Sequence, residues 1–206
     1  MTGAREQHWQ EVYSTKGEME VSWFQDRPQT SLGLIAQTGL VPAAASVIDI
    51  GGGASRLVDA LLAEGWRDIT VLDIASAALA RAQARLGDGA ARVDWIVADI
   101  TAWQPQRRYD LWHDRAVFHF LTAPEDRAAY KAALSTAVPA GGHVVIGSFA
   151  LDGPERCSGL PVRRYSPESL QTELGEGFVL QQSLLEGHQT PAGRMQNFQF
   201  SRFRRV

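Results

Sequence analysis

The chain has 206 residues, with 20 Lys and Arg against 23 Asp and Glu, for a formal net charge of −3 at pH 7. Hydrophobic residues at 45% and charged residues at 21% lie near the globular average, which excludes a disordered or fibrous chain and gives one domain, residues 1–206, as the expectation. The near-balance of charge gives no electrostatic ground for a nucleic-acid partner, and the single cysteine, Cys157, excludes an internal disulfide framework and a Cys-rich zinc site. No apolar run approaches the ~20 residues that a bilayer span needs. The opening MTGAREQHWQEVYSTKGE has no apolar signal core. A cytoplasmic protein without membrane association is expected.

Residues 1–40 are polar but carry Trp9, Tyr13, Trp23 and Phe24. A short helix is expected over 4–13, a loop over 14–28, and a second helix over 29–38 capped by Thr30 or Ser31. Pro42 breaks the chain before the first strand, 46–50. From there short β-branched runs at 46–50, 69–73, 94–98, 109–113 and 143–148 alternate with helical stretches at 56–64, 76–86 and 125–138. Apolar strands separated by amphipathic helices make βαβ units, and hence a parallel sheet covered on both faces. After residue 148 the pattern changes to a Gly- and Pro-containing insertion over 152–166, a helix over 167–174 and two strands, 178–185 and 195–204. The connection EGHQTPAGR suits a hairpin. The expected fold class is α/β, doubly wound, with a mostly parallel seven-stranded sheet, a C-terminal antiparallel hairpin and helices on both faces. The division is a leader or lid, 1–40, and a core, 41–206.

The sharpest motif is Asp49-Ile50-Gly51-Gly52-Gly53-Ala54-Ser55-Arg56. Three glycines after the first strand let the backbone turn tightly and approach a ligand at the start of the next helix. A dinucleotide loop needs a third glycine where Arg56 stands. Asp49 would repel a pyrophosphate but suits a ligand carrying an ammonium group. The second strand ends in Asp73-Ile74, 73 − 51 = 22 residues beyond the first glycine. A carboxylate there can accept from a ribose diol or cap the following helix. The third strand ends in Asp99-Ile100, where the acid can accept from an exocyclic amine and the isoleucine can pack on a base. Three such strand ends together mark the ligand crevice of an open α/β sheet.

With those residues the chain resembles the class I, seven-stranded, Rossmann-like S-adenosylmethionine-dependent methyltransferases, over roughly residues 45–204. The resemblance implies S-adenosylmethionine as cofactor. It puts the methionine end on Asp49, Gly51 and Gly53, the ribose on Asp73 with Ile74 beside it, and the adenine on Asp99 and Ile100. His113 lies near the expected cofactor position. The aromatic leader is also similar to that of a subset of bacterial methyltransferases and eukaryotic lysine methyltransferases, where such residues lie over the cofactor; this brings in Trp23.

The acceptor end is expected beyond the fourth strand, in His113-Asp114-Arg115-Ala116-Val117-Phe118-His119. The Asn/Asp-Pro-Pro-aromatic motif that serves planar amides in this family is missing there, so base or glutamine methylation is not expected. His119 is the candidate catalytic residue, as base or hydrogen-bond donor. Phe24, Arg115, Arg164 and Tyr165 are candidate substrate contacts. No metal-ligand spacing is present. The expected acceptor is a small molecule methylated at O, N or S. The alternatives are a protein lysine, which would need an open acidic groove beside Trp23 and Phe24, and a non-catalytic nucleotide-binding sensor.

Overall fold

The computed structural model describes residues 2–15, 17 and 20–206; Lys16, Glu18 and Met19 of the expected loop over 14–28 lie outside the described residues. In chain order the elements are α1 (Thr2–Thr15), α2 (Gln29–Ala36), β1 (Ser46–Ile50), α3 (Leu57–Ala63), β2 (Asp68–Asp73), α4 (Ser76–Leu86), β3 (Val93–Val97), β4 (Leu111–Arg115) and α5 (Pro124–Ala137). They continue with β5 (His143–Phe149), β6 (Arg156–Cys157), β7 (Leu160–Pro161), α6 (Pro167–Leu174), β8 (Phe178–Gln189) and β9 (Met195–Arg205). Seven strands form one sheet in the order β3-β2-β1-β4-β5-β9-β8. β1 to β5 pair in parallel, and β9 runs antiparallel to both β5 and β8. This is the expected fold class.

Every residue of β1 and of β5 is buried, because helices cover both faces of a parallel sheet and leave no solvent side for polar alternation. One core layer joins Val47, Val71, Leu111 and Val145 to Leu57 and Leu61 of α3 and Leu34 of α2. The other joins Ile48, Leu72, Trp112 and Ile146 to Leu134 of α5 and Leu170 of α6. α1 has no such apolar stripe. It packs on α4 through Trp9 and Tyr13 against Ala75 and Ala78.

Several boundaries differ from the sequence expectation for local reasons. β4 starts at Leu111 rather than 109, because the Tyr109 N–H donates to Ala137 O (2.8 Å) and Asp110 accepts from Ser46 N (2.8 Å). Neither Thr30 nor Ser31 caps α2: Pro28 occupies the cap, and the Ser31 hydroxyl is turned to His113. The insertion 152–166 contains the β6–β7 hairpin, and β8 and β9 extend to leave a turn over 190–194.

Asp114 and Arg115, neighbours with opposite charges, do not pair with each other. Asp114 is buried and accepts from Val117 N (2.8 Å), Phe118 N (3.1 Å) and the Tyr130 hydroxyl (2.7 Å), which in turn accepts from Trp112 Nε1 (2.8 Å). Burial pushes the Asp114 carboxyl up to about 6. This chain fixes the turn that follows β4 over the sheet edge. Tyr130→Phe leaves a buried Trp112 N–H without an acceptor and removes one donor from Asp114, so urea denaturation should show a loss of roughly 1–3 kcal/mol; unchanged stability would show that the turn is held by packing alone.

Candidate active site

At the end of β1 the three glycines have separate physical reasons. Gly51 adopts φ +68°, and a methyl group there would sit 2.1 Å from Val117 Cγ2. A methyl at Gly52 would sit 2.1 Å from Asp49 Oδ2, and one at Gly53 would sit 2.7 Å from Ala78 Cβ. Gly53 also donates its N–H to Asp73 Oδ2 (3.0 Å). Gly51 and Gly52 line a cleft that opens to solvent, while Gly53 stands behind its wall.

Asp49 is buried, and its Oδ1 lies 2.6 Å from His113 Nδ1. His113 Nε2 lies 2.9 Å from Ser31 Oγ. The imidazole therefore faces Asp49 and α2; it backs the cleft wall without lining it. Asp49 Oδ2 is shielded from solvent, has no hydrogen-bond partner, and belongs to a residue lining the cleft. An isolated carboxylate oxygen in that position is unfavourable until a donor arrives. The pairing follows from the sheet register: β1 and β4 are parallel neighbours, with Asp49 opposite His113.

Asp73 accepts from Ala75 N (2.8 Å) through Oδ1 and from Gly53 N through Oδ2. It thus ties the glycine loop to the start of α4 while lining the cleft beside Ile74. Burial pushes its carboxyl up to about 6, with those two N–H groups opposing the rise. Asp99, next to Ile100 in the wall, accepts from Thr101 N (2.9 Å), Thr101 Oγ1 (2.8 Å) and Arg5 Nη1 (3.2 Å to Oδ2). Arg5 also reaches Asp126 Oδ2 (2.6 Å). It is a cleft residue the motif pattern does not mark.

The leader aromatics roof the cleft. Trp9 packs edge-on against Phe120 (5.0 Å between centroids) and Trp23 (5.8 Å), and Tyr13 against Trp23 (6.0 Å). Phe24 is not in the lining; its ring lies under Arg56, 5.3 Å away.

Beyond the glycine loop, the wall is made by Arg115, His119, Phe149, Cys157, Gln196 and Phe198. His119 is buried, with Nδ1 3.4 Å from the Phe149 N–H and Nε2 without a partner. Burial first, and Arg115 second, push its imidazole down to about 3, so it is neutral near pH 7. Arg115 donates Nη1 to Trp23 O (2.9 Å), while its Nε and Nη2 are shielded and unpartnered. Burial pulls its guanidinium down to about 10. Arg164 and Tyr165 stand away from the wall. Arg164 donates to Gly153 O and Glu155. Tyr165 is buried against Phe118 (5.5 Å), its N–H tied to Phe149 O. Among the described residues no group of three His, Cys, Asp or Glu is placed to hold a metal, and no helix is long and apolar enough to cross a membrane.

Residues 47–141 match the family described as "Methyltransferase domain". The chain is 35% identical over 86 residues to malonyl-[acyl-carrier protein] O-methyltransferase of Anoxybacillus flavithermus, covering 41% of this chain and 32% of that one. It is 32% identical over 99 residues to nodulation protein S of Rhizobium fredii, covering 47% and 54%. It thus spans about a third to about half the length of these curated relatives. Among solved structures it superimposes on the N-methyltransferase NodS of Bradyrhizobium japonicum, in complex with S-adenosylhomocysteine, with a TM-score of 0.71 at 20% identity over 97% of this chain and 98% of the other. The 1,6-didemethyltoxoflavin-N1-methyltransferase of Burkholderia thailandensis gives 0.71 at 20% identity over 98% and 84%. At that identity the two structures share the fold.

The loop geometry makes a stability prediction. Gly51→Ala costs about 1–2 kcal/mol for a left-handed alanine, plus the overlap with Val117. Adding Val117→Ala should recover only the second part in urea denaturation. Equal stability of the single and double variants would show that the loop yields around the methyl group.

Proposed function

We propose that this chain, which carries a methyltransferase domain in the class I, seven-stranded Rossmann-like fold, is an S-adenosylmethionine-dependent enzyme that methylates a small molecule at O, N or S. The observation that carries this is the orphaned Asp49 Oδ2. It is a buried acceptor on a side chain held in place by His113, beside the bare backbone of Gly51 and Gly52 that lines the cleft. An ammonium group satisfies it, whereas the pyrophosphate of a dinucleotide would be repelled by it. Asp73 keeps one lone pair free on each oxygen for the hydroxyls of a ribose, and Asp99 with Ile100 suits an adenine edge and face. When bound, the cofactor supplies a methyl group on a positively charged sulfur for in-line displacement by a nucleophilic atom.

The chain's residues would then orient and exclude water. With Nδ1 accepting from Phe149, the proton of neutral His119 sits on Nε2, the ring atom without a partner in a residue of the cleft wall. His119 is therefore read as a donor that orients the acceptor; an imidazole held near 3 is a weak base for a bound amine or hydroxyl. A small-molecule acceptor is favoured over a protein lysine because Trp23 packs into the roof and Phe24 lies under Arg56 instead of lining an open channel. The single buried cysteine supports a reducing, cytoplasmic setting.

The leader is read as a lid on the core at 41–206. It is tied down by Arg5 to Asp99 and Asp126 and by Gln10 to Ser76 (3.2 Å). Amide exchange in α1 should slow several-fold when S-adenosylhomocysteine is added. Equal protection with and without it would make the leader a fixed plug of the core.

Calorimetry tests the cofactor assignment. S-adenosylhomocysteine should bind with micromolar affinity, about −8 kcal/mol, without competition from NAD, and Asp49→Ala should weaken it by roughly 1.5–3 kcal/mol. Free Asp73 keeps its proton up to about pH 6, while the bound form needs the carboxylate. Binding therefore releases a proton: affinity should fall as pH drops below about 6, by up to about tenfold per unit, and level off above it. A flat profile from pH 5 to 8 would remove Asp73 from the ligand contacts. Tight binding with no release of S-adenosylhomocysteine from S-adenosylmethionine across an acceptor panel would identify a sensor rather than an enzyme.

A further inference from the structure

We infer that Arg115 forms a buried carboxylate-binding subsite at the acceptor end of the cleft, so that the methyl acceptor is an organic acid anchored by its carboxylate. This rests on the methyltransferase assignment for the word acceptor, and on geometry alone for the carboxylate. A guanidinium presents Nε–H and the neighbouring Nη2–H along one edge, the pair that grips both oxygens of a carboxylate. In Arg115 that edge is the part without a partner: Nη1 is held by Trp23 O, and Nε and Nη2 are shielded from solvent with no acceptor in reach. The residue keeps some solvent contact, but those two atoms have none. A charged donor edge shielded from water and without an acceptor is costly until an anion arrives.

The direction of the side chain separates this subsite from the methionine end of the cofactor. β4 lies between β1, which carries Asp49, and β5. Arg115 leans the other way: its guanidinium lies 5.6 Å from the Phe198 ring on β9, beyond β5. The β5 residue opposite Arg115 is Gly147, and the space a side chain would take there is filled by the Phe200 ring of β9. Gln196, also on β9 and in the same wall, has a buried Oε1 without a partner. Its amide can turn an N–H to the same anion.

A second cavity reaches this end from outside. It lies between the β6–β7 hairpin and the β8–β9 turn, and Cys157 and Gln196 belong to both cavities. Exposed Arg156 and Arg194 stand at its mouth, with Glu20 the one carboxylate there among the described residues. An anion would enter there without crossing the cofactor half.

The probes are benzoate, phenylacetate and acetate, each paired with its neutral amide and titrated into protein saturated with S-adenosylhomocysteine. At least one acid should bind tenfold or more tighter than its amide. Arg115→Met should abolish that preference and change affinity for S-adenosylhomocysteine less than threefold. Arg115→Lys keeps the charge but loses the paired edge, and should retain only part of the preference. Gln196→Glu leaves Arg115 in place and should remove the preference by repulsion, which covers the case of an Arg115 variant that does not fold. Acid and amide binding equally across the panel overturns the inference. So does a tenfold loss of S-adenosylhomocysteine in Arg115→Met that is absent for its decarboxylated analogue, since the carboxylate would then be the cofactor's own. Failure of S-adenosylhomocysteine to bind the unmodified protein would instead sink the methyltransferase assignment, and the acid–amide comparison would still read the subsite without it.

Discussion

The contact between His113 and Asp49 is the constraint from which the site is built. A carboxylate inside a parallel sheet is expensive, and its burial is tolerable only with a fixed hydrogen-bond partner. His113 supplies that partner from the adjacent strand, and Ser31 on α2 fixes the ring from behind. With Oδ1 occupied, the carboxylate presents its other oxygen in one direction. Gly52 must then be bare, because any side chain there would overlap that oxygen. The loop that follows, its left-handed turn at Gly51 and its tether to Asp73 all run from this one arrangement.

The cleft is assembled from two kinds of backbone. Its glycine-loop side comes from the ends of β1, β2 and β3, where parallel pairing puts three carboxylates at successive strand ends. Its other side comes from the turn after β4, from β9 and from the small hairpin β6–β7, where the chain is antiparallel or irregular. The first half is stereotyped by the crossover geometry of the fold. The second is where one protein with this fold can differ from another.

That division also explains what the sequence discloses. Asp49, Gly51, Asp73 and Asp99 are legible because each stands at a fixed offset from an apolar strand, so local pattern and site coincide. The alternation of strands and helices and the terminal hairpin follow from the same periodicity. Arg5, Ser31 and Gln196 are not legible, since each reaches the site from a distant element and carries no local signature. Ser31 in particular looks like a helix cap until its partner is in place. Arg164 and Tyr165 have a suitable composition for a ligand contact, yet the β6–β7 hairpin commits one to Glu155 and the other to the core. Periodicity tells which face a residue takes, and says nothing of which remote backbone closes over it.

The position of Arg5 bears on the order of assembly during synthesis. Its two carboxylate partners lie 94 and 121 residues further along the chain. α1 is made before these partners, has no apolar face of its own to bury, and finds its contacts only after α4, the turn following β3 and the start of α5 have been made. Contacts of such long sequence separation form late, because the loop between them must be closed first. A segment made early thus waits for partners made later, and the nascent chain presents the crevice without α1 over it at least until translation has passed residue 126.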